Sequence, residues 1–226
     1  MENPLHAAPP ATEQVLVERL RKLAGQPLAQ IAHAHGLEVP ADLRRSKGWV
    51  GQLLERALGA TGASRAEPDF PQLGIELKTI PVDARGQPME SCFVASLDLG
   101  AVDRRWEVSA VRKKLDRVAW VAIEAARDLP LGARRCGAAL LWSPAPDELA
   151  ALRGDYEDLI DLLDAGARVT GHHGKVLQLR PKGANAAALR WALDEEGARV
   201  RTAPRAFYLR PAFTAALLQR HFTLPG

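Results

Sequence analysis

The sequence predicts a mixed α/β (α+β) fold. Helix-length amphipathic stretches bounded by capping residues alternate with short runs rich in Val, Ile and Trp, and turn-forming clusters fold some of those runs back as hairpins. At 226 residues the chain is one large domain or two small lobes, long enough to bury a core.

Residues 1–11 are rich in Pro and Ala and predict a disordered tail. Thr12 suits the N-cap of a helix over Glu13–Leu23, with Val15, Leu16, Leu20 and Leu23 on one face and Gly25 just past its end. Pro27 opens a short helix through Ala34, stopped by Gly36; His33 and His35 are two apart and cannot face each other as metal ligands. The basic loop Arg44-Arg45-Ser46-Lys47-Gly48 feeds a helix over Trp49–Leu58, closed by Gly59, with Val50, Leu53, Leu54 and Leu58 as its apolar stripe. Glu55 on that helix is either a surface carboxylate at the margin of the stripe or a site residue, and the pattern alone favours the surface.

Val82-Asp83-Ala84-Arg85-Gly86 has turn chemistry and predicts a hairpin whose second strand is Ser91–Leu97. Ser109 caps a helix carrying Val111, Lys113, Lys114 and Leu115; Arg117–Glu124 reads as a central strand and Ala138–Trp142 as another. Pro146–Ala165 is a long helix whose charges are nearly all acidic, expected to be a solvated face turned away from any phosphate, with a docking surface for a basic partner as the alternative. Ala167–Thr170, the turn Gly171-His172-His173-Gly174 and Lys175–Leu179 predict a second hairpin, with no third ligand spaced to make the histidines a zinc site. Asn185 caps a predicted helix over Ala186–Asp194, Phe207 is assigned to the core, and Thr214–His221 closes the chain as a helix.

Charge is unevenly spread. Residues 165–226 hold eight Arg and two Lys against Asp194, Glu195 and Glu196, a balance of +7, which leaves −4 for residues 1–164 of a chain whose net charge is +3. A basic third on a mildly acidic body points to a polyanionic partner, because neutralised phosphates supply most of the non-specific affinity for nucleic acid. Within it, Arg180-Pro181-Lys182 places two cations about a rigid proline, suited to reading base edges, and Tyr208 between Arg205 and Arg210 can stack on a base. No apolar run approaches the ~20 residues that span a bilayer, and Met1-Glu2-Asn3-Pro4 lacks the pattern of a signal peptide. Cys92 and Cys136 read as free thiols in a reducing compartment, so a cytoplasmic protein away from membranes is expected.

The chemistry concentrates in Pro68-Asp69-Phe70 and Glu76-Leu77-Lys78. In an extended strand Glu76 and Lys78 share a face while Leu77 turns to the core, and Asp69 enters from the preceding turn. Two carboxylates and an ammonium about one point suit Mg²⁺ and metal-dependent phosphodiester hydrolysis, with the lysine orienting or deprotonating a water. A Glu-x-Lys triplet by itself is also a common solvated strand face.

Lys47-Gly48-Trp49 leading to Glu55, Pro68-Asp69-Phe70, Leu73 through Val82, Val111 through Leu115, Leu141-Trp142-Ser143-Pro144, Arg180-Pro181-Lys182 and Phe207-Tyr208-Leu209 together resemble the MutH family, in the same order and over residues 12–224. These are the strand-nicking endonucleases of methyl-directed DNA mismatch repair. The resemblance implies a restriction-endonuclease-like core, a mixed β-sheet flanked by helices, in two lobes around a DNA cleft. It implies one such domain over 12–226, with a catalytic lobe at about 12–145 and a basic DNA-reading lobe at about 165–226.

The resemblance further implies a Mg²⁺-dependent enzyme, with Mn²⁺ or Ca²⁺ able to substitute in binding, that nicks the unmethylated strand of hemimethylated GATC in double-stranded DNA. Asp69 and Glu76, with the Leu77 carbonyl, then fall at the metal, Glu55 supports them, and Lys78 and Lys114 are the active-site lysines. Lys47, Gly48, Phe93, Arg180, Pro181 and Lys182 fall at the DNA, and Tyr208 at the adenine whose methylation is sensed. MutL is the implied activator, with MutS acting indirectly. The alternative is a type II restriction endonuclease that cuts both strands of GATC. The absence of an internal repeat favours a monomer with one active site, and therefore nicking.

Overall fold

The computed structural model describes residues 7–42, 46, 48–62, 67–97, 104–126, 128–167, 169–182, 190–193, 199–202 and 204–222. Contacts divide the chain into two units, each discontinuous in sequence. The first comprises Met1–Glu90, Asp116–Ser143 and Ala215–Gly226; the second comprises Ser91–Leu115 and Pro144–Thr214. Residues 91–115 and 144–164 thus cluster with the basic C-terminal segment.

In the first unit three helices cover a three-stranded sheet. Helix α1 spans Glu13–Leu23, and the Thr12 side chain accepts a hydrogen bond from Val15 N at 3.3 Å, as an N-cap should. Helix α2 spans Leu28–Ala34 and α3 spans Trp49–Leu58. Strand β1 (Glu76–Val82) runs parallel to β3 (Val118–Glu124), which pairs antiparallel with β4 (Cys136–Trp142), so β3 is central as its composition predicts. Leu77, Ala119, Val121, Ile123 and Cys136 from the sheet pack with Leu16, Leu20, Ile31, Leu53 and Leu54 from the helices in one buried core.

The expected tail is docked from residue 7 onward. Arg19 donates to the Ala8 carbonyl at 2.5 Å and to the Leu58 carbonyl at 2.8 Å, Ala7 N bonds Arg56 O at 3.3 Å, and Pro10 is buried. Gly59 permits this approach: its φ is 81°, and a Cβ there would lie 2.3 Å from the Ala8 oxygen.

The predicted hairpin after β1 forms only its turn. The Asp83 carboxylate accepts from Arg85 N and Gln87 N, each at 2.9 Å, and Val82 bridges Pro88. Pro88 has no N–H with which to extend a ladder. The following strand, β2 (Cys92–Ser96), pairs instead in the second unit.

That unit is built on an antiparallel sheet ordered β2-β8-β5, with β5 at Leu177–Pro181 and β8 at Arg205–Leu209. Helix α4 (Ala110–Leu115) contacts β2, and Ser109 Oγ accepts from Arg112 N at 3.0 Å. Helix α5 (Pro146–Asp164) covers one sheet face, where Tyr156 packs on Phe207 at 5.1 Å between ring centroids. Two expectations fail here. Residues 169–170 form no strand, and among the described residues β5 pairs with β8 rather than in a local hairpin. The helix expected over Ala186–Asp194 is contradicted at Arg190–Leu193, which form β6 and pair antiparallel with β7 (Arg199–Thr202). The alanine-rich run favours helix, but cross-strand pairing that joins Trp191 to Arg201 overrides propensity. Residues 183–189 lie outside the described residues. The last helix, α6, begins earlier than expected, spanning Pro211–His221 with proline in its first turn.

Helix α5 is not simply a solvated acidic face. Glu148 and Asp155 are buried: Glu148 accepts from Ala145 N at 2.9 Å, and Asp155 accepts from three backbone amides. Carboxylates leave water at tolerable cost when N–H donors replace it.

Candidate active site and nucleic-acid interface

The approach to β1 is a tight turn. Phe70 N donates to Ile75 O at 2.9 Å and Ile75 N returns to Phe70 O at 3.2 Å, with both side chains buried and Gly74 at φ 65° between them. This folds Asp69 back onto the strand, where its Oδ2 accepts the Leu77 N–H at 2.8 Å. Asp69 is therefore tied to β1 midway between Glu76 and Lys78. The Asp69 main-chain oxygen in turn accepts from Thr61 N and Gly62 N, both at 3.0 Å.

Glu76 and Lys78 lie on the strand face opposite Leu77, and Lys78 Nζ stands 3.1 Å from Glu76 Oε1. Each side chain is 6% exposed, so this is a buried ion pair rather than the solvated strand face that a lone Glu-x-Lys triplet more often makes. Trp120, fully buried, is the register partner of Lys78 on β3. Glu55 is half-buried on α3, a helix that packs on β1, and its Oε1 would lie 3.7 Å from a Cβ at Gly51.

Among the described residues no three His, Cys, Asp or Glu side chains gather as a metal cluster. A cation at β1 would rest on the carboxylates of Asp69 and Glu76 and the Leu77 carbonyl. These donors are all hard oxygens with no thiolate or imidazole among them, which fits a hard divalent ion that retains several waters.

The second unit assembles the other group. On β5 and β8, Leu177, Leu179, Phe207 and Leu209 are buried, while Arg180 is exposed and Tyr208 half-buried on the alternate face. Phe93 of β2, 40% exposed, is the register partner of Tyr208 and meets its ring edge-on at 5.6 Å. The Arg180 guanidinium lies 5.5 Å from the Tyr208 ring centre and donates to Ser91 Oγ at 3.2 Å. Lys182 Nζ lies 4.7 Å from the Phe93 ring centre and donates to Ser96 Oγ at 3.0 Å. Two cations and two aromatic rings thus share one sheet face, with exposed Pro181 between the cations. Such a surface can engage phosphates, base edges and base faces together.

Lys114 is half-buried on α4 in this same unit. Gly48 holds φ 87° at the N-cap of α3 in the first unit, and Lys47 lies outside the described residues. The structure thus joins Asp69, Glu76, Leu77 and Lys78 in one place, and Phe93, Arg180, Lys182 and Tyr208 in another.

Sequence reading missed Ser91, Ser96, Gln178 and Asp155. Gln178 was accessible to it, because it alternates with Arg180 and Lys182 along the strand; its Nε2 donates to Ser91 Oγ at 3.0 Å. Asp155 was hidden in a run of acids. No helix among the described residues is long and apolar enough to cross a membrane.

Residues 58–155 match the family model described as DNA mismatch repair enzyme MutH. The chain is 52% identical over 217 residues to the DNA mismatch repair protein MutH of Serratia proteamaculans, covering 95% of each chain. It is 51% identical over 221 residues to that of Klebsiella pneumoniae, covering 96% of each, and 50% identical over 221 residues to that of Pectobacterium atrosepticum, again covering 96% of each.

Proposed function

The chain belongs to the MutH family of DNA mismatch repair enzymes, and from that premise we propose that Asp69, Glu76 and the Leu77 carbonyl hold Mg²⁺ while Lys78 serves the attacking water. The protein is a restriction-endonuclease-like, strand-nicking endonuclease of DNA mismatch repair; it acts on DNA and depends on a divalent metal. The observation that carries the residue assignment is the convergence on β1: Asp69 bonded to Leu77 N at 2.8 Å, with Glu76 and Lys78 paired at 3.1 Å in a buried setting.

A cation held by Asp69, Glu76 and the Leu77 carbonyl would supply Lewis-acid polarisation of the scissile phosphate and offset its charge. Asp69 and Glu76 place that charge at the strand. The Lys78 ammonium donates hydrogen bonds that orient a water for in-line attack; in the neutral amine form it would instead take the water's proton and become the ammonium. Glu55 adds negative potential from α3. Lys114 is proposed, on the family resemblance, to stabilise charge on the phosphate.

The recognition assignment is that Arg180 contacts guanine, Pro181 and Lys182 fix the strand against the duplex, and Phe93, Lys47 and Gly48 touch DNA. Tyr208 meets the adenine whose methyl group decides which strand is cut. The target is hemimethylated GATC, MutL is the activator with MutS acting through it, the location is cytoplasmic and the working form a monomer. Support comes from the cation-and-ring face, from the +7 balance of residues 165–226 and from the resemblance in motif order.

Nicking of unmethylated, hemimethylated and fully methylated GATC duplexes with Mg²⁺, with and without MutL, tests this. Single-strand cuts opposite the methylated strand are expected, accelerated by MutL. Equal cutting of all three duplexes overturns the strand-choice reading.

A further inference from the structure

The loop before β5 is held from two sides. Asp155, buried on α5, accepts the Lys175 N–H at 2.9 Å (Oδ1) and 2.8 Å (Oδ2), the Val176 N–H at 2.6 Å and the Leu177 N–H at 2.8 Å. Arg210, following β8, takes the carbonyls: Nε donates to Gly174 O at 3.0 Å, and Nη2 to Gly171 O at 2.7 Å and His173 O at 3.1 Å. Inside the loop His173 Nδ1 accepts from Thr170 N at 3.0 Å. Gly174 is required, since its φ is 81° and a Cβ there would fall 1.9 Å from the Leu177 oxygen. The histidine pair therefore belongs to a rigid turn.

A segment whose amides end on one carboxylate and whose carbonyls end on one guanidinium has little freedom to shift. It leads without a break into β5, where Gln178 and Arg180 follow at alternate positions and Lys182 comes just past the strand end. We infer that Asp155 and Arg210 are positioning residues for DNA recognition: their clamp fixes the height and register of β5, and so where the Arg180 guanidinium meets a base edge. The inference rests on the proposal that Arg180 to Lys182 read DNA. Bidentate contacts tolerate displacements of only about 0.5 Å, so a loosened loop forfeits discrimination before it forfeits binding to phosphates.

The experiment measures kcat and KM for nicking a GATC duplex and a duplex with one base pair of the site changed. It compares the full chain with Asp155→Asn, Arg210→Lys and Arg180→Ala, each checked for folding by circular dichroism. Asp155→Asn keeps the shape but turns one acceptor into an NH₂ facing backbone N–H groups. It and Arg210→Lys are expected to lower the ratio of kcat/KM between the two duplexes by roughly tenfold, through KM on the GATC duplex, with kcat within roughly twofold. A merely stabilising role would lower the melting temperature and leave that ratio unchanged, which overturns the inference. If Asp155→Asn does not fold, Arg210→Lys decides on the same criterion. Arg180→Ala separates the two levels. If it leaves the ratio intact, the reading face itself fails and the clamp fails with it; if it collapses the ratio while the clamp variants do not, only the clamp fails.

Discussion

Replacing Lys78 by Met keeps most of the side-chain volume and removes the charge that sits 3.1 Å from Glu76 Oε1. Both side chains are 6% exposed, so little water can take the place of the ammonium. At an effective dielectric constant of about 20, two unit charges at this separation attract by about 5 kcal/mol. Much of that offsets desolvation, and breaking a buried pair from one side typically costs about 3–5 kcal/mol. Glu76 has other interactions, which places the expected loss near the lower end, about 3 kcal/mol. The assay is urea unfolding of wild type and Lys78→Met with EDTA and again with saturating Ca²⁺. A cation on Asp69 and Glu76 restores the missing positive charge, so added metal should stabilise the variant more than wild type. Wild type must accommodate both ammonium and cation, so Ca²⁺ should bind Lys78→Met more tightly than wild type, measured by calorimetry. Nicking in Mg²⁺ should nevertheless fall by roughly 10²–10⁴-fold, the contribution of a positioned acid–base group. Equal stability of the two proteins in EDTA, or equal stabilisation of both by metal, would refute the electrostatic reasoning.

Two further outcomes test other parts of the structure. Gly59→Ala should destabilise by about 1–3 kcal/mol, because φ is 81° and the new Cβ meets the Ala8 oxygen; deleting residues 1–10 should recover only the contact part of that loss, so additive effects would mean the segment is not docked. Burial pushes the Cys136 thiol from 9.0 to about 11. The unfolded thiol ionises first, so this contribution is fully present below pH 9 and is lost as pH rises through about 11, at most roughly 3 kcal/mol. Cys136→Ala should flatten the fall in stability over that window, and native labelling at mildly alkaline pH should modify half-buried Cys92 before Cys136. An unchanged stability profile in Cys136→Ala would refute the assignment.

What the sequence made legible was local. Thr12, Gly36 and Gly59 bound their helices where the chain itself decides the matter, through a side-chain cap or a left-handed residue. The alternation of Glu76, Leu77 and Lys78 put the charged pair on one face before any partner strand was known. Pairing was not legible in the same way. The partner of β2 is more than a hundred residues away in β8, and the turn at Asp83–Gly86 offers a nearer partner that Pro88 denies. Asp155 was illegible for a related reason. Its burial depends on amides of residues 175–177, and in sequence it is one acid among seven on the same helix.

The two groups of cations meet different chemical demands. Lys78 has to persist in a buried strand whether or not a phosphate is present, and an isolated buried ammonium would be costly; the Glu76 carboxylate at 3.1 Å meets that cost and, in the assignment proposed above, would also be a metal donor. In the proposed reading face Arg180 and Lys182 would instead deliver charge to an anion. Arg180 meets the Ser91 hydroxyl and the Tyr208 ring, and Lys182 the Ser96 hydroxyl and the Phe93 ring; these are neutral groups that orient a cation without cancelling it. A carboxylate in place of Ser91 or Ser96 would orient equally well and weaken attraction to DNA. The same logic explains why Asp155 acts on β5 from the covered side of its sheet. There its carboxylate accepts the backbone N–H groups that lead into β5, and those donors satisfy its negative charge where the proposed positioning role would act.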